Sequence, residues 1–234
     1  MMRPARGDFL RAVFYGGSLM RVLDILVNCE SSGAIRSRLR ALGHNAWSCD
    51  LLPADDGSPY HIQGDALVAG RSRHWDLMIA HPPCTHLAVS GARWFPQKRA
   101  DGSQQAALQF VRDLMALPIE FKVIENPVSI ISSQIRKSDQ TVQPWMFGDF
   151  ETKATCLWLE NLPPLVPTYR TVAEAAEAAG LPANSKPEAR IWKLPPSADR
   201  WKLRSKTYDG IARAAALQWS AHVANVIDNR YLQN

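Results

Sequence analysis

The stretch "RVLDILVNCESSGAIRSRLRALG", residues 21–43, decides the fold class of this chain. Its first part, "RVLDILVN" (21–28), is an apolar run of strand length that is rich in β-branched residues and leucine. The serines that follow are suited to helix capping, and apolar residues recur at helical spacing from Ile35 to Leu42. Gly43 is suited to end that helix. A strand, a short loop and a helix in this order begin a βαβ unit.

The remainder of the chain continues this alternation of strands and helices. Further strands are predicted over 45–51, 75–81, 121–127 and 153–160, and helices over 104–117, 171–180 and 210–229. Strands that alternate with helices form parallel βαβ units, so the sequence predicts an α/β fold with a mostly parallel, doubly wound sheet.

Changes in composition and in predicted secondary structure divide the chain into four segments. Residues 1–19 form an N-terminal extension for which disorder is an expectation, and residues 20–163 form the main α/β domain. Residues 164–205 are rich first in proline and then in basic residues, and read as a small insertion with little core of its own. Residues 206–234 are predicted to form a helix that packs back on the main domain.

Composition limits the class of protein. The chain has 46% hydrophobic and 21% charged residues, which is typical of a globular protein rather than a disordered one. No apolar run reaches transmembrane length. The 4 cysteines are scattered and form no CxxC pair, a pattern that favours reduced thiols and a cytoplasmic location. The net charge of +5 is compatible with a polyanionic partner without establishing one.

Three chemically useful residues end or follow predicted strands. Asp50 ends the second strand, Cys84 follows the third, and Glu125 lies near the end of "FKVIENP" (121–127). Ligands of doubly wound sheets bind outside the carboxyl ends of the strands. The sequence therefore predicts a site at this edge of the sheet.

Cys84 lies in "AHPPCTHLAVSG" (80–91), where two prolines restrict the backbone before the thiol. One interpretation is a nucleophile that nearby positive charge activates as a thiolate. The alternative is a structural cysteine, the more common fate of a lone thiol. A zinc site of His81, Cys84 and His86 is disfavoured. In an extended chain Cys84 and His86 point to one side and His81 points to the other, and no fourth ligand is apparent.

Carboxylates at the same edge have two interpretations each. Glu125 is a candidate general acid or hydrogen-bond partner, with its pKa raised by partial burial, or else a loop anchor. Asp50 lies where nucleotide-binding folds keep an acid for ribose hydroxyls. Asp65 alone reads as a helix cap.

Several of these motifs carry a family resemblance. "AHPPCTHLAVSG" resembles the Pro-Cys loop of the DNA cytosine-5 methyltransferases, and "IENP" resembles their Glu-Asn-Val signature. "LVNCESSG" and "GDAL" are similar to their cofactor loops, and "FGDFETKATCLWL" is similar to their base-facing segment. The motifs occur in the family's order, and the chain most resembles the short, phage-type or prophage-type members. The resemblance implies a Rossmann-like class I methyltransferase fold with a reduced recognition region over 164–205.

The resemblance also implies roles for individual residues. Cys84 would be the nucleophile, Glu125 the partner of the cytosine ring nitrogen, and Asn126 the support of Glu125. Lys153 and Thr155 stand where the family carries two base-facing arginines. The implied cofactor is S-adenosylmethionine, and the implied cofactor-binding residues are Glu30, Ser32, Gly33, Asp50, Leu51, Asp65 and Pro82. Glu30 and Ser32 depart from the family, which has glycines there.

The implied partner is DNA, with its cytosine flipped out or already single-stranded, because a stacked base cannot reach a thiol. In the insertion, basic residues interleaved with Trp192 and Trp201 could bind phosphates and stack on bases, or form a solvated loop with the tryptophans packed inward. Three other functions remain open: an exocyclic-amine DNA methyltransferase, a cytosine-nucleotide modifying enzyme, and a non-catalytic nucleic-acid-binding relative. The sequence predicts no membrane partner and no metal, and it leaves the target sequence and the oligomeric state open.

Overall fold

The centre of the protein is a seven-stranded sheet covered on both faces by helices. The structure is a computed structural model that describes residues 12–15, 18–197 and 200–233. The strands are β1 (Ala12–Tyr15), β2 (Ser18–Arg21), β3 (Asp24–Asn28), β4 (Asn45–Asp50), β5 (His61–Gln63), β6 (Leu77–Ala80), β7 (Phe121–Pro127), β8 (Gln140–Val142) and β9 (Thr155–Glu160). The α-helices are α1 (Ala34–Ala41), α2 (Ala66–Arg71), α3 (Phe95–Ala100), α4 (Ser103–Met115), α5 (Ile131–Gln134), α6 (Val172–Ala178), α7 (Arg190–Lys193), α8 (Arg200–Ser205) and α9 (Asp209–Leu232).

The strand order in the sheet is β5-β4-β3-β6-β7-β9-β8. Strands β3 to β7 are mutually parallel where they pair, whereas β9 runs antiparallel to both β7 and β8. The chain proceeds outward from β3 to β5, then returns to the other side of β3 with β6, so a topological switch point lies between β3 and β6. The predicted Rossmann-like, mostly parallel sheet is confirmed, and its switch point is where such folds bind ligands.

Helices on both faces explain why the middle of the central strand β3 is continuously apolar. Ile25 and Val27 point into a core that α1 and α9 cover, and Leu26 between them points into a second core that α2 and α4 cover. Successive side chains of a strand alternate between faces, so a strand buried on both faces carries apolar residues at consecutive positions. The predicted helix at the C-terminal end is α9, which packs along this first core.

Two peripheral segments were assigned from the sequence. Most of the predicted extension over 1–19 lies outside the described residues, although β1 and β2 pair there as an antiparallel hairpin separate from the main sheet. In the insertion over 164–205, Leu165 and Ile191 join the core beneath α9, and most other described residues are solvent-accessible. None of the helices in the described ranges combines the length and the hydropathy needed to cross a bilayer.

Gly210, in the first turn of α9, packs tightly against the turn that ends at Phe147. A Cβ at Gly210 would lie 2.7 Å from the Phe147 carbonyl carbon, and the Gly210 amide donates to Asp149 Oδ2 at 2.8 Å. Because backbone cannot move aside as a side chain can, we expect Gly210→Ala to lower the free energy of unfolding by about 3 kcal/mol. Urea denaturation measures this change. Gly64→Ala is the matched control, since no heavy atom lies within 4 Å of the added Cβ; equal losses in the two variants would contradict the packing argument.

Candidate active site

The carboxyl ends of β3, β4, β6 and β7 bring the predicted site residues to one edge of the sheet. Asp50 ends β4, Glu125 lies in β7, and Cys84 follows β6 by four residues. The His81 amide donates to the Asn28 carbonyl at 3.0 Å, which extends the β3–β6 pairing to the start of the Pro-Cys loop. The predicted edge is therefore the observed one.

The loop that carries Cys84 is held on both sides of the thiol. On one side, Pro82 is buried, and its carbonyl accepts a hydrogen bond from Asn126 Nδ2 at 2.8 Å. On the other side, the Cys84 carbonyl accepts from the amides of Leu87 (3.0 Å) and Ala88 (2.9 Å). The resemblance implies that Asn126 supports Glu125; the structure shows that its amide anchors the loop at Pro82.

Cys84 itself is exposed, so a ligand can reach it from solvent. Desolvation by the surrounding protein, followed by the charge of Glu125, raises the pKa of the thiol, while Lys153 and Arg204 act in the opposite direction. The expected activation by positive charge is therefore outweighed by desolvation and by Glu125. Neutralising Glu125 would remove one of these two influences and leave the opposing charges of Lys153 and Arg204 in place.

Glu125 forms an ion pair with His81, a contact that the sequence reasoning missed. His81 Nδ1 lies 3.0 Å from Glu125 Oε2, and the two side chains are only 11% and 18% exposed. Burial acts to raise the pKa of Glu125, but the His81 hydrogen bond and the charges of His81 and Lys153 outweigh it, so the pKa is lowered. The expected raised pKa is wrong, because a cation lies where only desolvation was anticipated. His81 directly follows β6 and Glu125 lies near the end of the neighbouring strand β7, and this placement is the signal for the pair that the sequence offers.

A small cavity lies behind this ion pair. Its volume is about 20 Å³, and its polar lining includes His81, Glu125, Lys153 and Thr155 as well as Thr207 and Tyr208. That space suits one water-sized molecule and is far too small for a nucleobase. Thr155 Oγ1 donates to the Lys153 carbonyl at 3.1 Å. The two base-facing positions predicted from the sequence thus lie beside Glu125, as the resemblance implies.

The first loop after β3 is organised by a buried carboxylate rather than by glycines. Glu30 accepts hydrogen bonds from the amides of Ile35 (2.8 Å) and Arg36 (3.4 Å), so it caps α1. Ser32 Oγ accepts from the Ala34 amide at 3.3 Å. Gly33 has a φ of 67°, a left-handed conformation that favours glycine. Both oxygens of Glu30 accept hydrogen bonds from amides of α1. Contacts to a cofactor would therefore come from other groups at this edge of the sheet.

Asp50 and Asp65 form a pair of carboxylates beside the first loop. Asp50 Oδ1 accepts from the Leu52 amide at 2.9 Å, and Asp65 Oδ1 caps α2 by accepting from the Leu67 (2.7 Å) and Val68 (3.0 Å) amides. Among the described residues, no partner contacts the second oxygen of either carboxylate.

This pair fits the adenosine half of S-adenosylmethionine. Free carboxylate oxygens can accept from ribose hydroxyls or an amino group, and Leu51, which is 74% exposed, offers apolar contact for a base. The helix-terminal amides that could bind a carboxylate are already used by Glu30. Residues Asp50, Leu51 and Asp65 would therefore hold the cofactor mainly by its nucleoside.

Arg36 and the loop over 51–60 are a second feature that sequence reasoning missed. The Arg36 guanidinium is buried, donates from Nη1 to Ser48 Oγ at 2.7 Å, and forms an ion pair with Asp56. The Asp55 amide donates to the Ser31 carbonyl at 2.9 Å. These contacts hold the loop over 51–60 against the first loop after β3. The sequence contains no signal for them other than an arginine within a helix pattern.

Helix α8 of the insertion contacts both halves of the site. Lys202 Nζ lies 2.8 Å from Asp55 Oδ1, next to the first loop. Lys153 Nζ donates to the Arg204 carbonyl at 2.8 Å, next to Cys84 and Glu125. Trp192 is 53% exposed, with the Arg204 guanidinium 5.6 Å from its ring centroid, while the Trp201 side chain lies outside the described residues. The insertion therefore bridges the two halves.

Metal ligands do not cluster in the part of the chain that the structure describes: no three His, Cys, Asp or Glu side chains are grouped to hold an ion. His81 is bound to Glu125 instead of joining Cys84 and His86.

Comparison with known proteins adds a distant likeness. No family model matches the chain, and no curated protein matches its sequence. One similar solved structure is an E. coli protein encoded within a prophage and assigned as a DNA modification methyltransferase, with 14% sequence identity and a TM-score of 0.43. The match covers 75% of this chain and 56% of that one, so the chain spans little more than half of the matched protein's length. The fold and the candidate site define the class: a Rossmann-like α/β protein with a thiol and a carboxylate at the carboxyl ends of its parallel strands.

Proposed function

We propose that this protein is an S-adenosylmethionine-dependent methyltransferase that methylates cytosine at C5 in DNA through a covalent adduct with Cys84. The observation that carries the proposal is the position of an exposed, proline-braced thiol beside the Glu125–His81 pair at the strand ends. An exocyclic amine is nucleophilic enough without a thiol, whereas C5 of cytosine is not.

The residues account for the chemistry of C5. A Cys84 thiolate that adds to C6 makes C5 enamine-like and places negative charge on the ring at N3. A hydrogen-bond donor or proton at N3, delivered by Glu125, stabilises that charge. S-adenosylmethionine, when bound, supplies the electrophilic methyl group. Loss of the C5 proton then expels Cys84.

The substrate base would approach from the solvent side of Cys84. The cavity behind Glu125 is too small to admit it, so a cytosine flipped from a duplex or present in a single strand would cover the mouth of the site. Lys153 and Thr155 would border the base from behind.

The insertion over 164–205 would provide the nucleic-acid contacts, in a protein that acts on DNA in the cytoplasm. Lys193 in this segment and Lys206 directly after it are exposed, and Trp192 is 53% exposed, so its ring could stack on a base. Few residues remain in this segment to read base edges, so phosphate contacts would dominate its binding. The segment would act as the reduced recognition region.

Product analysis tests the proposal. The protein is incubated with S-adenosylmethionine carrying a labelled methyl group and with duplex DNA, single-stranded DNA or deoxycytidine triphosphate in parallel. Nucleosides from each digest are then separated and identified by mass spectrometry. We expect labelled 5-methylcytosine; labelled N4-methylcytosine or N6-methyladenine would refute the C5 assignment. No labelled product from any substrate, with DNA binding intact, would favour a non-catalytic binding protein.

A further inference from the structure

His81 is held in a fixed orientation at the centre of the site. Its main chain continues the β3–β6 pairing, and its Nδ1 lies 3.0 Å from Glu125 Oε2. Its Nε2 is buried and has no hydrogen-bond partner among the described residues. A neutral ring with Nδ1–H and an imidazolium both satisfy the contact with Glu125, so the charges around the ring decide which form is present.

Charged groups face His81 from several elements. Glu125 contacts it from β7, Glu30 lies in the loop between β3 and α1, and Lys153 lies before β9. On the α9 side the cavity is lined by uncharged residues such as Tyr208 and Ile211. The carboxylates of Glu125 and Glu30 act to favour a protonated ring and Lys153 acts against it, while burial raises the pKa of Glu30 itself and so weakens its share.

The pKa of His81 agrees with that balance. Burial acts to lower it, but the hydrogen bond to Glu125 and the charges of Glu125 and Glu30 outweigh burial and Lys153, so the pKa is raised. The pKa of Glu125 is lowered by the same contact. Because the pKa of His81 is raised and that of Glu125 is lowered, the shared proton of the pair lies on His81 rather than on Glu125.

We propose that His81 holds the proton of the site: its imidazolium delivers that proton through Glu125 to N3 of cytosine when Cys84 adds to C6, and recovers it after methylation. This inference rests on the proposed function. His81 acts through Glu125 and is in that sense a positioning residue for the proton.

The step balances in atoms and charge. The Cys84 thiol has first lost its proton to solvent, and the new S–C6 bond uses the thiolate electron pair. The C5=C6 pair shifts to form C5=C4, and the C4=N3 pair moves to N3. The Nδ1 proton of His81 passes first to Glu125 Oε2, and the same proton then passes from that oxygen to N3, which leaves His81 neutral and Glu125 ionised again. When C5 forms its bond to the methyl carbon, C4=N3 re-forms and the proton returns by the same route.

If His81 stores the proton, the pH dependence of kcat/KM should show it, because that dependence reports the pKa values of essential groups in the free enzyme. We expect the thiol to titrate above the imidazolium, as free cysteine does relative to free histidine, so the rate should rise with pH and then level off above the pKa of His81. Beyond that point each gain in thiolate is offset by an equal loss of imidazolium. If His81 only held Glu125 in its orientation, the pH profile of kcat/KM would not level off at the pKa of His81.

The decisive variant is His81→Asn, whose amide can still donate to Glu125 but holds no transferable proton. We expect kcat/KM at pH 8 to fall about 100-fold and the break to move to lower pH or vanish, because any remaining proton is held by Glu125 alone. His74→Asn is the control, since its ring is exposed and pairs only with Asp76, and it should stay within about twofold. A break at the same pH in His81→Asn, with a rate within about threefold of wild type, would overturn the proposal. His81→Gln replaces it if the asparagine variant does not fold.

A measurement on the intact wild-type protein separates this inference from the proposed function. Ring ¹⁵N and ¹H spectra of ¹⁵N-histidine-labelled protein should show His81 doubly protonated at neutral pH and titrating above an ordinary histidine. A neutral His81 ring at neutral pH overturns proton storage even if 5-methylcytosine forms. A protonated ring without any 5-methylcytosine product means that the proposed function has failed, and the inference with it.

Discussion

Cys84→Ala is expected to abolish covalent trapping of 5-fluorocytosine-containing DNA and to lower the rate of cytosine methylation by at least about 10³-fold. The reason is that no other described thiol can substitute. Cys49 and Cys156 are buried, and burial, followed by the charge of Asp50, raises the pKa of Cys29. With fluorine at C5, the final loss of the ring substituent is blocked, so a protein that uses the thiol stays attached to the base.

The experiment incubates each protein with S-adenosylmethionine and the fluorinated DNA, then separates adducts on a denaturing gel. Cys156→Ala is the matched control, because that thiol is buried in the core beneath β9, where its sulfur lies 3.6 Å from Thr141 Oγ1. We expect it to form adduct at the wild-type level. An adduct that survives in Cys84→Ala would show that another residue attacks the base.

Glu125→Gln is expected to lower kcat by about 10²- to 10⁴-fold with little change in the KM for DNA. A glutamine amide can still hydrogen-bond the ring but cannot relay a proton to N3, so the loss belongs to the transition state. The variant also removes the partner that holds the proton on His81. Because burial, the largest influence on the pKa of His81, acts to lower it, the imidazole should become neutral near pH 7 in this variant.

Steady-state kinetics and the histidine ring spectra measure the two effects separately. Glu120→Gln is the control: Glu120 precedes the opposite end of β7 and pairs with Arg230 at the surface. We expect its kcat to stay within about twofold of wild type. A Glu125→Gln variant that kept more than a tenth of wild-type kcat would contradict the role of this carboxylate in proton delivery.

The long elements of the fold could be predicted because they bury many side chains in a regular pattern. The strand predicted over 121–127 coincides with β7, and the helix after 31–33 coincides with α1. Short edge elements such as β5 and β8 have three residues each, too few to show a period. The antiparallel direction of β9 is set by its pairing with β7, which the pattern of one strand does not contain.

The candidate site likewise has features that could be predicted from the sequence and features that could not. Strand ends placed Asp50, Cys84 and Glu125 at one edge without any contact being known. The ionisation of Glu125 could not be predicted, because its sign depends on His81, 44 residues away in sequence and 3.0 Å away in space. Burial alone predicts a raised pKa, and a single buried cation reverses it. Local sequence therefore predicts where the chemistry lies better than the charge states that perform it.

Helix α8 is held to Asp55 by Lys202 and to Lys153 by the Arg204 carbonyl, so it joins the proposed cofactor site to the proposed DNA site. If DNA shifts this helix, the loop beside the proposed cofactor site shifts with it. Any factor by which DNA then changes the affinity for the cofactor must equal the factor by which the cofactor changes the affinity for DNA. The short insertion would in that case couple the occupancy of the two sites.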